Sequence, residues 1–264
     1  MKESNKHIRA CIYKLYDFRS NIPANLLSKK INEVWNIKDL ELKENIEVND
    51  KEIKRKINIV KKSLHFLLCK NLVKFIAVSG SVGSEFSKKE DDIDLFIIVK
   101  NDTAWIYRLY LYMRNLSRRI IRSKERVSNG ENVKDKFCIN LITEERALLF
   151  EDDIFNLNEL LYIKPVYNEN FLNVIYLNNP WLKDKYFVSD EFLNRETIRV
   201  GDVKGLSKRN YLLIPINFFL FILQIFYMSI MRHQPDYKRL WKGFLRGRIE
   251  FFPKEFREEK IKNL

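Results

Sequence analysis

Glycine is scarce in this sequence, 7 of 264 residues, against a usual share of about 7%. That excludes collagen-like repeats and glycine-rich low complexity, and it makes each glycine informative; Gly80 and Gly83 stand three apart. Cysteine and histidine are equally thin. Cys11, Cys69 and Cys138, and His7, His65 and His233, show no CxxC or HxxxH spacing, which excludes a disulfide framework and a structural zinc site. Such cysteine usage fits a reducing, cytoplasmic setting. The start, MKESNKHIRACIYKL, lacks an apolar stretch long enough for a signal peptide, so export is not expected. Negative charge is in the minority: 48 Lys and Arg face 35 Asp and Glu, a net charge of +13. A basic surface attracts polyanions, whether nucleic acid, nucleotide phosphates or anionic lipid, although a Lys- and Asn-rich composition is basic for any function. What is plentiful is apolar material, 46% of residues with 13% aromatic, enough for a real core and too much for a disordered chain.

The pattern divides into three stretches. Residues 1–50 read as an N-terminal helical unit, with a turn at Asn21 and Pro23 and a polar linker over Asp39–Asp50. Residues 51–150 read as an α/β core. Ile53, Ile57, Val60, Leu64, Leu67 and Leu68 recur at helical spacing, with the intervening lysines on a solvated face. KFIAVS (74–79) and LFIIV (95–99) are continuously apolar, as strands covered on both faces are. Asp102 is placed to cap a helix that turns Trp105, Leu109, Met113, Leu116 and Ile120 inward and Arg108, Arg114, Arg118, Arg119 and Arg122 outward. KFCINLIT (136–143) reads as a third strand, with Cys138 buried and inert within it. Residues 151–264 read as a helical C-terminal region. Within it, 211–231 carries no charge over 21 residues, and about 20 apolar residues suffice to cross a bilayer. Pro215, Asn217, Gln224 and Ser229 interrupt it and both flanks are basic. The expectation is a buried core helix, with membrane contact through 211–231 as the alternative.

The chemistry concentrates in V-S-G-S-V-G-S-E-F-S-K-K-E-D-D-I-D-L, residues 78–95. Side chains alternate along a strand, so Asp92 and Asp94 project from one face. Two carboxylates held together repel unless a cation lies between them. Mg2+ favours one or two carboxylates plus substrate phosphate oxygens. Gly80, with no Cβ, lets backbone approach a ligand closely. The turn it shares with Ser81, leading into a helix, offers N–H groups and a hydroxyl to phosphates. In-line phosphoryl or nucleotidyl transfer fits these parts. Asp91, out of phase with the pair, is expected to be a turn residue.

Gly80-Ser81, ten residues, then Asp92-Ile93-Asp94 between apolar strands resembles the signature of the polymerase-β-type nucleotidyltransferase superfamily over residues 73–100. The longer layout (YDFRSNIP, VSGS…DDIDLFII, the Arg-bearing helix after Trp105, FCINLITEE and NNPWLK) resembles a prokaryotic group of minimal nucleotidyltransferase-like proteins. The resemblance implies an α/β (α+β) nucleotidyltransferase core on a small mixed sheet. It further implies Mg2+ at Asp92 and Asp94, an NTP such as ATP held by Gly80 and Ser81, and an acceptor that is a small molecule, RNA or protein. Arg108 is the expected triphosphate contact. In the superfamily a third carboxylate stands on a later strand; the equivalent here is Asn140, whose amide can ligate Mg2+ but is no base. Either Glu144 or Glu145 substitutes, the acceptor brings its own ligand, or the protein is a catalytically silent nucleotide-binding module. Arg114–Arg126 and Lys238–Arg248 are placed to track a polyanionic acceptor, and a nucleic-acid-binding protein with incidental carboxylates is the remaining alternative, on the net charge of +13. The aromatics of that tail (Tyr237, Trp241, Phe244, Phe251, Phe252) read as core packing.

Overall fold

The computed structural model describes residues 11, 12, 15, 24–36, 50–69, 71–122, 132–193, 208–230 and 236–250. The linker over 39–49, Arg126, Phe251 and Phe252 lie outside them, as does the side chain of Asn140.

The apolar runs form strands as their burial requires. β1 (Val73–Val78) and β2 (Ile93–Val99) are buried along nearly their whole length. Phe75, Ala77, Phe96 and Ile98 enter one core, and Ile76, Val78, Leu95, Ile97 and Val99 another on the opposite face. With β3 (Phe137–Glu144), β4 (Lys164–Tyr167) and β5 (Arg248–Glu250) they make a five-stranded sheet in the order β4-β1-β2-β3-β5. The sheet is mixed: β2 and β3 run parallel, while β1–β2, β1–β4 and β3–β5 are antiparallel. The fold is thus the expected α/β core on a small mixed sheet. Two of its strands, β4 and β5, come from the region after residue 150.

Helices cover both faces. α1 (Ala24–Trp35) precedes α2 (Asp50–Lys62), and the expected helix through Leu68 breaks at Ser63 before a single turn, α3 (Leu64–Leu67). α4 (Gly80–Gly83) is the turn after β1, and α5 (Ala104–Arg118) crosses from β2 to β3. α6 (Ile154–Tyr162), α7 (Phe171–Leu177), α8 (Trp181–Asp184) and α9 (Asp190–Leu193) pack with α1 over the Phe75/Phe96 face. α5, α10 (Leu213–Ile230) and α11 (Tyr237–Arg246) contribute to the core on the other face.

Three expectations are corrected. The cap of α5 is not Asp102, whose carboxylate instead pairs with Arg209 at 2.9 Å. The α5 amides are met from afar: Glu144 Oε1 accepts from Thr103 and Ala104 N–H, and Asn217 Oδ1 from Trp105 and Ile106 N–H. The inward face of α5 is also rotated. Trp105 is buried as expected, but Ala104, Tyr107, Leu111 and Asn115 share its face, leaving Met113 and Leu116 exposed. Finally, α10 is not the fully buried helix expected: Phe221 and Met228 enter the core, but only 17% of its apolar span is buried.

Candidate active site

Antiparallel pairing of β1 with β2 brings the end of one strand to the start of the other: Ser79 N–H donates to Asp94 C=O at 3.0 Å. Gly80 follows with a left-handed φ of +59°, which a side chain disfavours. A Cβ there would overlap Asp94 Oδ2 and lie 2.8 Å from Cγ. Both the dihedral and the space therefore demand glycine. Ser81 is in the first turn of α4, where backbone N–H groups lack helical acceptors. Ser84 Oγ closes this turn by donating to Gly80 C=O at 2.9 Å.

The ten-residue loop before the carboxylates is pinned from below. Lys56, on the α2 face expected to be solvated, is fully buried. Its ammonium donates to Ser87 Oγ (2.9 Å), Lys88 C=O (2.5 Å) and Asp91 C=O (2.8 Å). Burial pushes its pKa down, and nearby carboxylates oppose that shift. Asp91 itself accepts from Lys88 N–H at 2.8 Å, the turn role expected of it.

Asp94 is in phase with Phe96 and Ile98, so it leaves β2 on the face covered by α6. Parallel pairing sets Cys138 opposite Asp94. Ligand atoms of Asp92, Asp94 and Cys138 all lie within 4.8 Å of one another. Burial, followed by the charges of Asp92 and Glu159, pushes the Asp94 carboxyl up to about 7. A hydrogen bond from Cys138 and the charge of Arg122 act in the opposite sense. The Cys138 thiol is pushed up to about 12 by burial and by both aspartates. Arg122 Nη1 contacts Asp92 Oδ2 at 2.6 Å. Two carboxylates packed this closely, one holding a proton to near neutrality, are a donor set that a divalent cation relieves.

Gly80, Ser81, Asp92 and Asp94 therefore meet at one end of the sheet, as the sequence suggests. Arg108 does not join them. It belongs to α5, on the opposite face from Asp94, with its guanidinium 5.1 Å from the Trp105 ring and 3.6 Å from Met228 Sδ. Burial lowers its pKa to about 9. Arg122, after α5, is the arginine that reaches the pair. Asn140 is the extra residue of a bulge in β3, between the Leu95–Ile139 and Phe96–Leu141 pairs. Glu144 and Glu145 do not substitute for a third carboxylate. Glu144 pairs with Val99, at the far end of β2 from Asp94, and Glu145 lies 3.6 Å from Lys74. Cys138, read as inert, occupies the place beside the pair; the period-two offset from Asn140 is the only hint the sequence holds. Elsewhere in the basic clusters, Arg114 and Arg118 lie over the Phe66 ring, and Phe244 stacks on Phe221 at 4.6 Å. The packing reading thus holds for Phe244.

Residues 61–154 match the family model described as "Polymerase beta, Nucleotidyltransferase". That span contains β1, the Gly80 turn, both aspartates, α5 and β3, so residues 61–154 are similar to a nucleotidyltransferase domain of the polymerase-β type. No curated protein and no solved structure matches the chain.

Proposed function

We propose that the protein is a Mg2+-dependent nucleotidyltransferase that moves a nucleoside monophosphate from an NTP, ATP in the first instance, to an acceptor and releases pyrophosphate. The observation that carries this reading is the placement of Asp92 and Asp94 on one sheet face beside the Gly80–Ser81 turn. Asp92 and Asp94 would hold Mg2+, which when bound supplies positive charge to the phosphate and acceptor oxygens. Asp94, whose carboxyl is held protonated to about 7, would release that proton to solvent on taking that role. Gly80 keeps side-chain atoms out of the space beside Asp94, and the α4 N–H groups with the Ser81 hydroxyl donate to phosphate oxygens. Arg122 contributes a guanidinium that can exchange Asp92 for a phosphate. The acceptor is a small molecule, RNA or protein.

Incubation with ATP labelled at the α or the γ phosphate, together with a cell extract, tests the reading. The α label should enter a product while the γ label leaves as pyrophosphate. Asp92→Ala and Asp94→Ala should each lower transfer by about 100-fold or more. Retention of the γ label in product would overturn nucleotidyl transfer. Nucleotide binding without any labelled product would favour the silent module.

A further inference from the structure

α10 divides into two faces with different fates. Asn217, Phe221, Gln224 and Met228, spaced four, three and four apart, turn toward α5. Asn217 accepts from Trp105 N–H at 2.9 Å and Gln224 donates to Trp105 C=O at 3.1 Å. Phe221 meets Trp105 edge-on at 5.0 Å. The opposite stripe is Ile216, Phe219, Leu223, Phe226 and Ile230, all exposed, with Phe219 and Phe226 each 64% accessible. The stripe does not end at the helix. Tyr227 touches Tyr112 of α5, beside exposed Met113 and Leu116. Phe218 touches Trp241 of α11, beside exposed Tyr237 and Leu245. A soluble domain seldom leaves so continuous an apolar surface bare.

The charge around it selects the occupant. On α11 the ridge Tyr237, Trp241, Leu245 runs beside the ridge Lys238, Lys242, Arg246, both at four-residue spacing. Lys208 and Arg209 precede α10, and Arg118 and Arg119 end α5. Apolar and aromatic side chains flanked by Lys and Arg match a lipid headgroup boundary, and the excess of positive charge matches anionic lipid.

We propose that the α10 face, continued onto α5 and α11, inserts into the surface of an anionic bilayer with the helix lying in the membrane plane. α10 is long and apolar enough to cross. Crossing would nevertheless carry the bonded first turn of α5, with Arg108 and the arginines beyond it, into hydrocarbon. An in-plane helix keeps the Asn217 and Gln224 bonds and leaves the sheet in water. Membrane binding by this face is independent of the transfer chemistry.

The test is flotation of the full chain with phosphatidylcholine vesicles, with and without phosphatidylglycerol. The protein should float with the anionic vesicles and partly release at high salt. Phe219→Glu with Phe226→Glu, both at exposed positions, should abolish flotation with an unchanged thermal midpoint. Lys238→Glu with Lys242→Glu should weaken binding to the anionic vesicles by about 30-fold or more. Wild-type protein that stays down with both vesicle types would overturn the proposal. So would a lipid-free dimer that the Phe219→Glu/Phe226→Glu pair dissociates, because a second copy would then cover the face.

Discussion

The space a side chain would occupy at Gly80 is already filled by the carboxylate of Asp94. Turn and carboxylate are thereby made one unit. Gly80→Ala must adopt φ +59° with a Cβ and displace Asp94, costing about 2 kcal/mol or more. Gly83→Ala is the control: its Cβ would meet Tyr162 C=O at 2.5 Å, away from the carboxylates. Denaturant titration should show both variants destabilised. Only Gly80→Ala should also lose divalent-cation affinity; equal cation binding in the two would contradict the coupling.

Asp94 predicts a trade between stability and function. Its folded-state carboxyl titrates at about 7, above the ordinary 3.8. The folded chain therefore holds a proton that the unfolded chain has released, and this contribution to stability is lost as pH rises from about 4 through 7. Without metal, Asp94→Asn should be more stable than wild type at pH 8, with a midpoint higher by roughly several degrees, yet inactive in transfer. Mg2+ should raise the wild-type midpoint and leave the variant's unmoved. A variant that melts below wild type at pH 8 in chelator would refute the assignment.

Lys56 holds the loop that delivers the carboxylates. Lys56→Met fills the volume but removes the ammonium that ties Ser87 Oγ and the Lys88 and Asp91 carbonyls together; each carbonyl keeps a backbone N–H donor, so the loss is about 1–3 kcal/mol. Chemical denaturation measures the loss directly. A midpoint matching wild type would show that the ammonium is dispensable.

Arg122 competes with any cation for Asp92, at 2.6 Å. Arg122→Ala should tighten Mn2+ binding by up to about fivefold in the absence of nucleotide and weaken binding of the nucleotide itself. Parallel titrations with metal and with a non-hydrolysable ATP analogue separate the two effects. Weaker metal binding in the variant would contradict the competition.

The legible parts of this molecule are those governed by a short period. Asp92 and Asp94 announce a shared face because strands repeat every two residues, and the buried runs of β1 and β2 announce a doubly covered sheet. β4 and β5 were not legible. KPVY carries a proline and RIE spans three residues with two charges, so neither shows a strand pattern; pairing with β1 and β3 makes them strands. Helical spacing groups Lys56 with the solvated lysines, because it separates faces but does not say that a loop closes over one of them. Reach along the sequence does not say which side of the sheet α5 takes, and α5 carries Arg108 to the face opposite Asp94. The role of α10 turned on tertiary contact: Asn217 and Gln224 look like interruptions of an apolar run and are its attachment to α5.

The most direct measurement on the central claim is a Mn2+ titration of the pure protein by electron paramagnetic resonance, with and without a non-hydrolysable ATP analogue. Wild type should bind Mn2+ more tightly when the nucleotide is present, and Asp92→Ala with Asp94→Ala should lose both the metal and its dependence on nucleotide. An unchanged, nucleotide-assisted Mn2+ affinity in that double variant would contradict the account.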